Sequence, residues 1–212
     1  MPLSPPAPRT PSHTRRIVYQ GFEREDGLWD IEGELHDSKA HDQPLMRQPG
    51  KVRPAGDPIH HMLLRLTVDD QLVVHAIESA MDAHPLGGCS QAQRALQSMV
   101  GCSMARGWRH SIQDHLGGVA GCTHLRELLF NMATAAFQTI HAAFHSTGDE
   151  PPRYLGQCTG WDFSGDGVKH YYPQFYRPSP DAPGQTANKA PGRASPPAAA
   201  TNGAAPMQQR GS

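Results

Sequence analysis

Gly121-Cys122-Thr123-His124-Leu125 places a thiol and an imidazole two residues apart at the mouth of the chain's strongest amphipathic helical pattern. The first turn of a helix offers backbone N–H groups without intrahelical partners, and its dipole favours an anion there. A cysteine in that setting is biased toward thiolate, the form that ligates metals and attacks electrophiles. Cys-x-His by itself is too few donors for a zinc centre, which takes at least three protein ligands. Cys89 follows Pro85-Leu86-Gly87-Gly88 and precedes Ser90, a residue suited to capping a helix, so it too is expected at a helix start. His60, next to His61, stands just before a strand pattern, and a strand end is a rigid platform for a ligand. The metal-ligand set read from these residues is His60, Cys89, Cys122 and His124.

The same residues support a second chemistry. Cys122 or Cys89 can act as a nucleophile, with His124 as its base and no metal. Glu127 lies one turn after His124 and is either a solvent-facing glutamate, an acceptor that fixes the imidazole tautomer, or a general base. Asp30 and Glu32 alternate with Trp29 and Ile31 and read as the wet side of a strand, and Asp82 is a further acid before the Pro85 turn. Cys102 is read as structural. Cys158 reaches the site only if the late segment folds over it. Thirteen histidines lower the weight of each, and His13, His41 and His145 are read as solvated polar residues.

The elements that must position these groups follow from the pattern. Ile17 to Glu25 and Leu28 to Lys39 flank Asp26-Gly27, a two-residue hairpin signal. Met62 to Val68 and Leu72 to Ser79 form a second hairpin around Asp69-Asp70-Gln71, with Leu72, Val74 and Ala76 expected on one face. Three helical stretches come next: Ser90 to Val100 ended by Gly101, Arg106 to Leu116 ended by Gly117-Gly118, and a long one carrying Leu125, Leu128, Leu129, Met132, Ala136, Ile140 and Phe144 at the helical period. Strands first and helices after is the α+β pattern: an antiparallel sheet of about four strands with three helices on one face.

The folded part is expected over 15–176, with a disordered tail at 1–14 and a Pro/Ala/Gly-rich disordered tail at 177–212, too poor in apolar groups to offset its ordering entropy. The aromatic-rich stretch 151–176 reads as an arm of the same domain, with Ser164-Gly165-Asp166-Gly167 as a tight turn. Formal net charge is −1, which provides no electrostatic case for nucleic acid. No run of apolar residues is long enough to span a bilayer, and the Pro- and Ser-rich N-terminus lacks the apolar segment of a secretory signal. These features point to the cytoplasm, where four cysteines serve as thiols or ligands and not as a disulfide framework. The partner is expected to be a protein or a small molecule. As a metal-free interaction module, the chain would bind a partner protein through its aromatic arm, Trp161 and Tyr171 included, and a hairpin face.

Over 57–145, the order of a strand hairpin, Cys89 at a helix start, short helices and a Cys-Thr-His segment opening a long helix resembles the iron–sulfur scaffold (NifU N-terminal/IscU-like) and SufE-like sulfur-acceptor superfamily. The resemblance implies three ligand positions, matched here by His60, Cys89 and the Cys122/His124 segment. A histidine replaces the first thiol and Cys-Thr-His replaces an adjacent His-Cys, so the implied occupant is zinc or iron, or an iron–sulfur cluster in the scaffold manner. Over 15–176 the chain also resembles a bacterial domain-of-unknown-function family, through Arg24-Glu25-Asp26-Gly27-Leu28-Trp29-Asp30-Ile31-Glu32-Gly33, Leu64-Arg65-Leu66-Thr67-Val68-Asp69-Asp70 and Gly121-Cys122-Thr123-His124-Leu125.

Overall fold

The computed structural model describes residues 3–45, 48–140 and 150–179. The chain divides into two compact units, one through Cys158 and one from Thr159.

In the first unit β1 (His13–Glu23), β2 (Trp29–Lys39), β5 (Pro58–Val68) and β6 (Val74–Ala83) form an antiparallel sheet in that order. A small hairpin of β3 (Gln43–Pro44) and β4 (Val52–Arg53) sits in the connection between β2 and β5. The Asp26-Gly27 signal marks a true turn, but the connection is five residues wide. Glu23 pairs with Trp29, Arg24 N–H donates to the Leu28 carbonyl at 2.9 Å, and Gly27 takes a φ of 82° that favours glycine. In the second turn the Asp69 carboxylate accepts the amides of Gln71 and Val73, both at 2.9 Å. That turn forces fully buried Leu72 to a φ of 63°.

Strand alternation places Ile17, Leu35, Met62 and Met81 in one row of the inner face, and Gly21, Ile31, Leu66 and Ile77 in another. Ala76 was expected inside beside Val74. A register shift between Thr67 and Val68 puts two residues of β6 against one, so Ala76 pairs with Thr67 on the outer face and Ile77 goes in. Asp30 and Glu32 also lie outside, where Asp30 accepts from the Thr67 hydroxyl at 2.7 Å and Glu32 from Arg65 at 2.7 Å.

The first predicted helix is broken. Gly87–Gln91 and Leu96–Met99 are 3₁₀ turns around a single α-turn, α1 (Ala92–Ala95). Gly101 at φ 86° then redirects the chain so that its amide reaches the Val74 carbonyl at 2.8 Å. Edge-strand pairing therefore competes with helix continuation and wins. α2 (Trp108–Leu116) buries Trp108, Ile112 and Leu116, spaced four apart. α3 (Thr123–Thr139) buries Leu125, Leu128, Leu129, Met132 and Ala136. The Trp108 indole N–H donates to the Leu129 carbonyl at 2.7 Å and ties the two helices. α3 ends at Thr139 with Ile140 as its extended C-cap, short of the expected helical run through Ile140, and the remainder of that run to Phe144, with His145 beyond it, lies outside the described residues.

α3 runs along the inner face over β1 and β2. Glu127 reaches Arg15. The Tyr19 hydroxyl reaches the Leu128 carbonyl at 3.4 Å. A side chain on Gly21 would overlap Thr139. At Gly33 an added Cβ would stand 3.1 Å from the Tyr19 ring and 3.4 Å from Leu128. The missing side chains at Gly21 and Gly33 are what let this helix seat closely.

The second unit contains 3₁₀ turns at Thr159–Trp161 and Pro173–Phe175 flanking α4 (Asp166–Tyr171). The expected tight turn at 164–167 is instead the entry to this helix: Asp162 accepts the amide and hydroxyl of Ser164, both at 2.7 Å, and α4 begins at Asp166. Val168 is buried, Trp161 meets Tyr171 and Tyr172 edge-on, and the Arg177 guanidinium lies 4.5 Å over Phe163. His13 and Thr14 belong to β1, so the tail predicted at 1–14 ends earlier. Most of the tail predicted at 177–212 lies outside the described residues. Among the described residues no helix is long and apolar enough to cross a membrane.

Candidate functional site

The inner face of the sheet is apolar until its last row. There Arg15 pairs with Asp37 and Asp37 with His60, on three adjacent strands, directly beyond Ile17, Leu35 and Met62. The first turn of α3 closes over this polar row.

Asp37 is 2% exposed, and an ionised carboxylate at that depth costs several kcal/mol unless it is paired and hydrogen-bonded. Arg15 supplies the pairing in a two-pronged contact, Nε to Oδ1 at 2.8 Å and Nη2 to Oδ2 at 2.7 Å. His60 Nδ1 lies 3.0 Å from Oδ2, and His13 Nε2 lies 3.2 Å from Oδ1. His13 is exposed, as expected of a solvated polar residue, and also reaches this cluster. Burial pushes the Asp37 pKa up, but the hydrogen bonds and charge of Arg15, with His60 beside it, outweigh that and hold it at about 2. Burial lowers the His60 pKa, and the Arg15 and Arg53 charges add to the fall against the opposing pull of Asp37.

His124 projects from the start of α3 onto the same carboxylate. Its Nε2 is 3.9 Å from Asp37 Oδ2, and its ring lies on that of His60 with centroids 3.8 Å apart. One donor atom each from Asp37, His60 and His124 falls within 4.8 Å of the other two. Two metal–ligand bonds of about 2.0–2.1 Å at a tetrahedral angle put their donors roughly 3.4 Å apart. The separations from Asp37 Oδ2, 3.0 Å to His60 Nδ1 and 3.9 Å to His124 Nε2, fall on either side of that spacing.

Cys122 is the N-cap of α3. Its sulfur lies 3.8 Å from His124 Nδ1, the ring nitrogen opposite the one facing Asp37. Burial pushes the thiol pKa up, but His124 and the amides of Leu125 and His124 more than offset it, so the net shift is downward. Of the four ligands read from sequence, His60 and His124 share one group with Asp37. Cys122 contacts His124 from the far side, and Cys89, in the 3₁₀ turn after β6, is not one of that group's donors. Cys102 is half-buried against the core, Cys158 is exposed, and no disulfide joins any of them. Glu127 accepts from Arg15 Nη1 at 2.5 Å, which makes it a partner of the arginine and not of the imidazole. Asp82 contacts His61 Nδ1 at 3.3 Å on the outer face.

Arg15 and Asp37 were missed by sequence reasoning, although the signal was present. Ile31, Gly33 and Leu35 alternate inward on β2, and the next inward position is Asp37. Continuing the inward set of β5 backward from Leu64 and Met62 reaches His60. A carboxylate where the period calls for an apolar residue is a site signal, because burying it demands a partner.

The fold and cluster define an α+β protein with a meander sheet covered on one face by helices, and a carboxylate–imidazole group where the sheet meets a helix N-terminus. The chain belongs to the family described as a protein of unknown function (DUF2889), whose profile matches residues 13–138, from the first residue of β1 almost to the end of α3. No curated protein and no solved structure matches the chain.

Proposed function

We propose that the protein binds a single zinc or iron ion through Asp37, His60 and His124. The observation that carries this reading is the convergence of one carboxylate and two imidazoles, from two strands and a helix, within 4.8 Å. Arg15 keeps Asp37 ionised and ready to ligate. Two histidines and one carboxylate suit zinc or ferrous iron. Iron–sulfur clusters are held mainly by thiolates, and here Cys122 meets the far nitrogen of His124. An iron–sulfur cluster is therefore the less favoured occupant, and no solved structure matches to support the likeness to the NifU/IscU and SufE proteins. Three protein ligands leave a coordination position open for water or substrate, the arrangement of a catalytic metal. In this reading the Cys122 sulfur sets the tautomer of His124 from its outer side. The setting proposed is the reducing cytoplasm.

The test is metal content after anaerobic loading with Zn²⁺ or Fe²⁺, followed by Co²⁺ absorption as a coordination probe. Asp37→Asn, His60→Ala and His124→Ala should each lose the ion, whereas Cys89→Ser should keep it. Full stoichiometry in all three ligand variants would reject the site.

A second reading rests on the contact between Cys122 and His124 and the lowered thiol pKa. Here Cys122 is a nucleophile, His124 its base and Asp37 the group that orients the imidazole, with no metal. Single-turnover labelling of Cys122 in protein that takes up no metal would favour it.

A further inference from the structure

Arg126 and Arg109 raise a question that the Asp37 cluster does not answer. Arg126 is half-buried on α3, and its contacts are all to neutral oxygens: the carbonyls of Leu116 and Gly118 at 2.9 and 3.4 Å, and the Thr123 hydroxyl at 3.4 Å. These bonds hold the guanidinium in one orientation and leave two of its five N–H donors, on Nε and Nη2, unused. Arg109, on α2, lies with its Cζ 5.5 Å over the Phe130 ring. No carboxylate among the described residues pairs with either arginine. Both line an open cleft of about 440 Å³ between α2 and α3, together with Gln113, Thr123, Phe130 and Asn131. The one acid on its wall, Glu127, is engaged by Arg15.

We infer that this cleft binds a small organic anion with a flat apolar body, its acid group on Arg109 and Arg126 and its body against Phe130. A planar guanidinium matches a carboxylate two-to-two, and the fixed rotamer of Arg126 lowers the ordering cost of that match. The Gln113 and Asn131 amides provide neutral polar groups for orientation. The size falls within the range of small-molecule sites. The cleft reaches Thr123, the residue before His124, so an anion held there lies next to the first turn that carries the candidate metal ligand.

The probe is benzoate, titrated into the full chain and followed by amide chemical shifts, with benzyl alcohol and inorganic phosphate as comparisons. Chelator is present throughout, so the outcome is independent of whether Asp37, His60 and His124 hold a metal. Benzoate should give saturable shifts at Thr123, Phe130 and Asn131, and benzyl alcohol should bind at least about tenfold more weakly. Arg109→Glu, at an exposed position, should keep its circular dichroism spectrum and weaken benzoate by about tenfold or more, while Arg109→Lys retains part of the affinity. Shifts that map elsewhere, unchanged affinity in folded Arg109→Glu, equal binding of benzyl alcohol, or inorganic phosphate binding as well as benzoate would each overturn the inference.

Discussion

Asp37 gathers more partners than any other side chain of the site, and its neighbours differ in what they can do without it. Arg15 also holds Glu127, so Asp37→Asn leaves the arginine with a carboxylate. The converse change is harsher. Arg15→Leu strands a carboxylate at 2% exposure with only imidazoles nearby, and breaking a buried ion pair from one side costs about 3–5 kcal/mol, less here because Arg15 is partly solvated. Arg15→Leu should therefore lower the urea-unfolding free energy by more than Asp37→Asn does. Equal losses would mean that the imidazoles alone hold the carboxylate. At Cys122 the lowered thiol pKa predicts alkylation by iodoacetamide at pH 7 faster than at Cys102, and His124→Ala should slow it several-fold by removing one cause of the shift. Mass spectrometry of the labelled peptides reads both rates. An unchanged Cys122 rate in His124→Ala would remove the imidazole from the account.

At the scale of elements, the seating of α3 on β1 and β2 decides whether the site forms, because His124 and Glu127 ride on its first two turns while Arg15, Asp37 and His60 ride on the sheet. Two glycines set the distance between these layers. An added Cβ at Gly21 would overlap Thr139 near the far end of the helix, and overpacking of this kind costs typically about 1–3 kcal/mol. Gly21→Ala should lower the unfolding free energy by about that amount, with part of it recovered in the Gly21→Ala/Thr139→Ala double variant, which removes the two closest atoms but keeps the Thr139 Cβ 2.7 Å from the added carbon. A penalty that is the same with and without the Thr139 side chain would show that the strain lies elsewhere. The broken helix at 87–99 belongs to this scale too. Its residues close on the edge strand through Gln93 to the Ser79 carbonyl and Gln97 to the Ile77 carbonyl, both at 2.9 Å, and those bonds replace helical continuity.

For the molecule as a whole, the site couples stability to acid. The folded-state pKa of Asp37 is about 2 against an ordinary 3.8. Its contribution is thus complete above the unfolded value and is lost as pH falls from about 4 to 2, at most about 2 kcal/mol. The folded-state pKa of His60 is also lowered, from 6.5. A histidine kept neutral in the native state favours folding at high pH, so its share begins to fade as pH drops below 6.5. Urea midpoints from pH 8 to pH 2 should fall in two stages. Asp37→Asn should flatten the lower one, and His60→Gln should flatten the upper. A single stage that persists in Asp37→Asn would assign acid unfolding to other groups.

Much of this architecture could be read directly along the chain. The turn at Asp26-Gly27, the apolar period of α3 and the placement of Cys122 and His124 at a helix start all depend on neighbours within a few residues, where local sterics and periodicity act. The limits of such reading are equally specific. Ala76 changed faces because of one bulge, and the helix expected at 90–100 broke into short helical turns that bond to the edge strand β6, since contacts between distant segments override local preference. The single domain read over 15–176 took in the aromatic arm, whereas the chain divides into units at Cys158 and Thr159 and the family match covers 13–138. The site is where the tertiary structure decided most. Arg15 meets a carboxylate 22 positions away and another 112 positions away, and His60 reaches back 23 positions to the same carboxylate. Local periodicity can say that Asp37 points inward, but only the register of three strands and the angle of one helix determine which charges are waiting there.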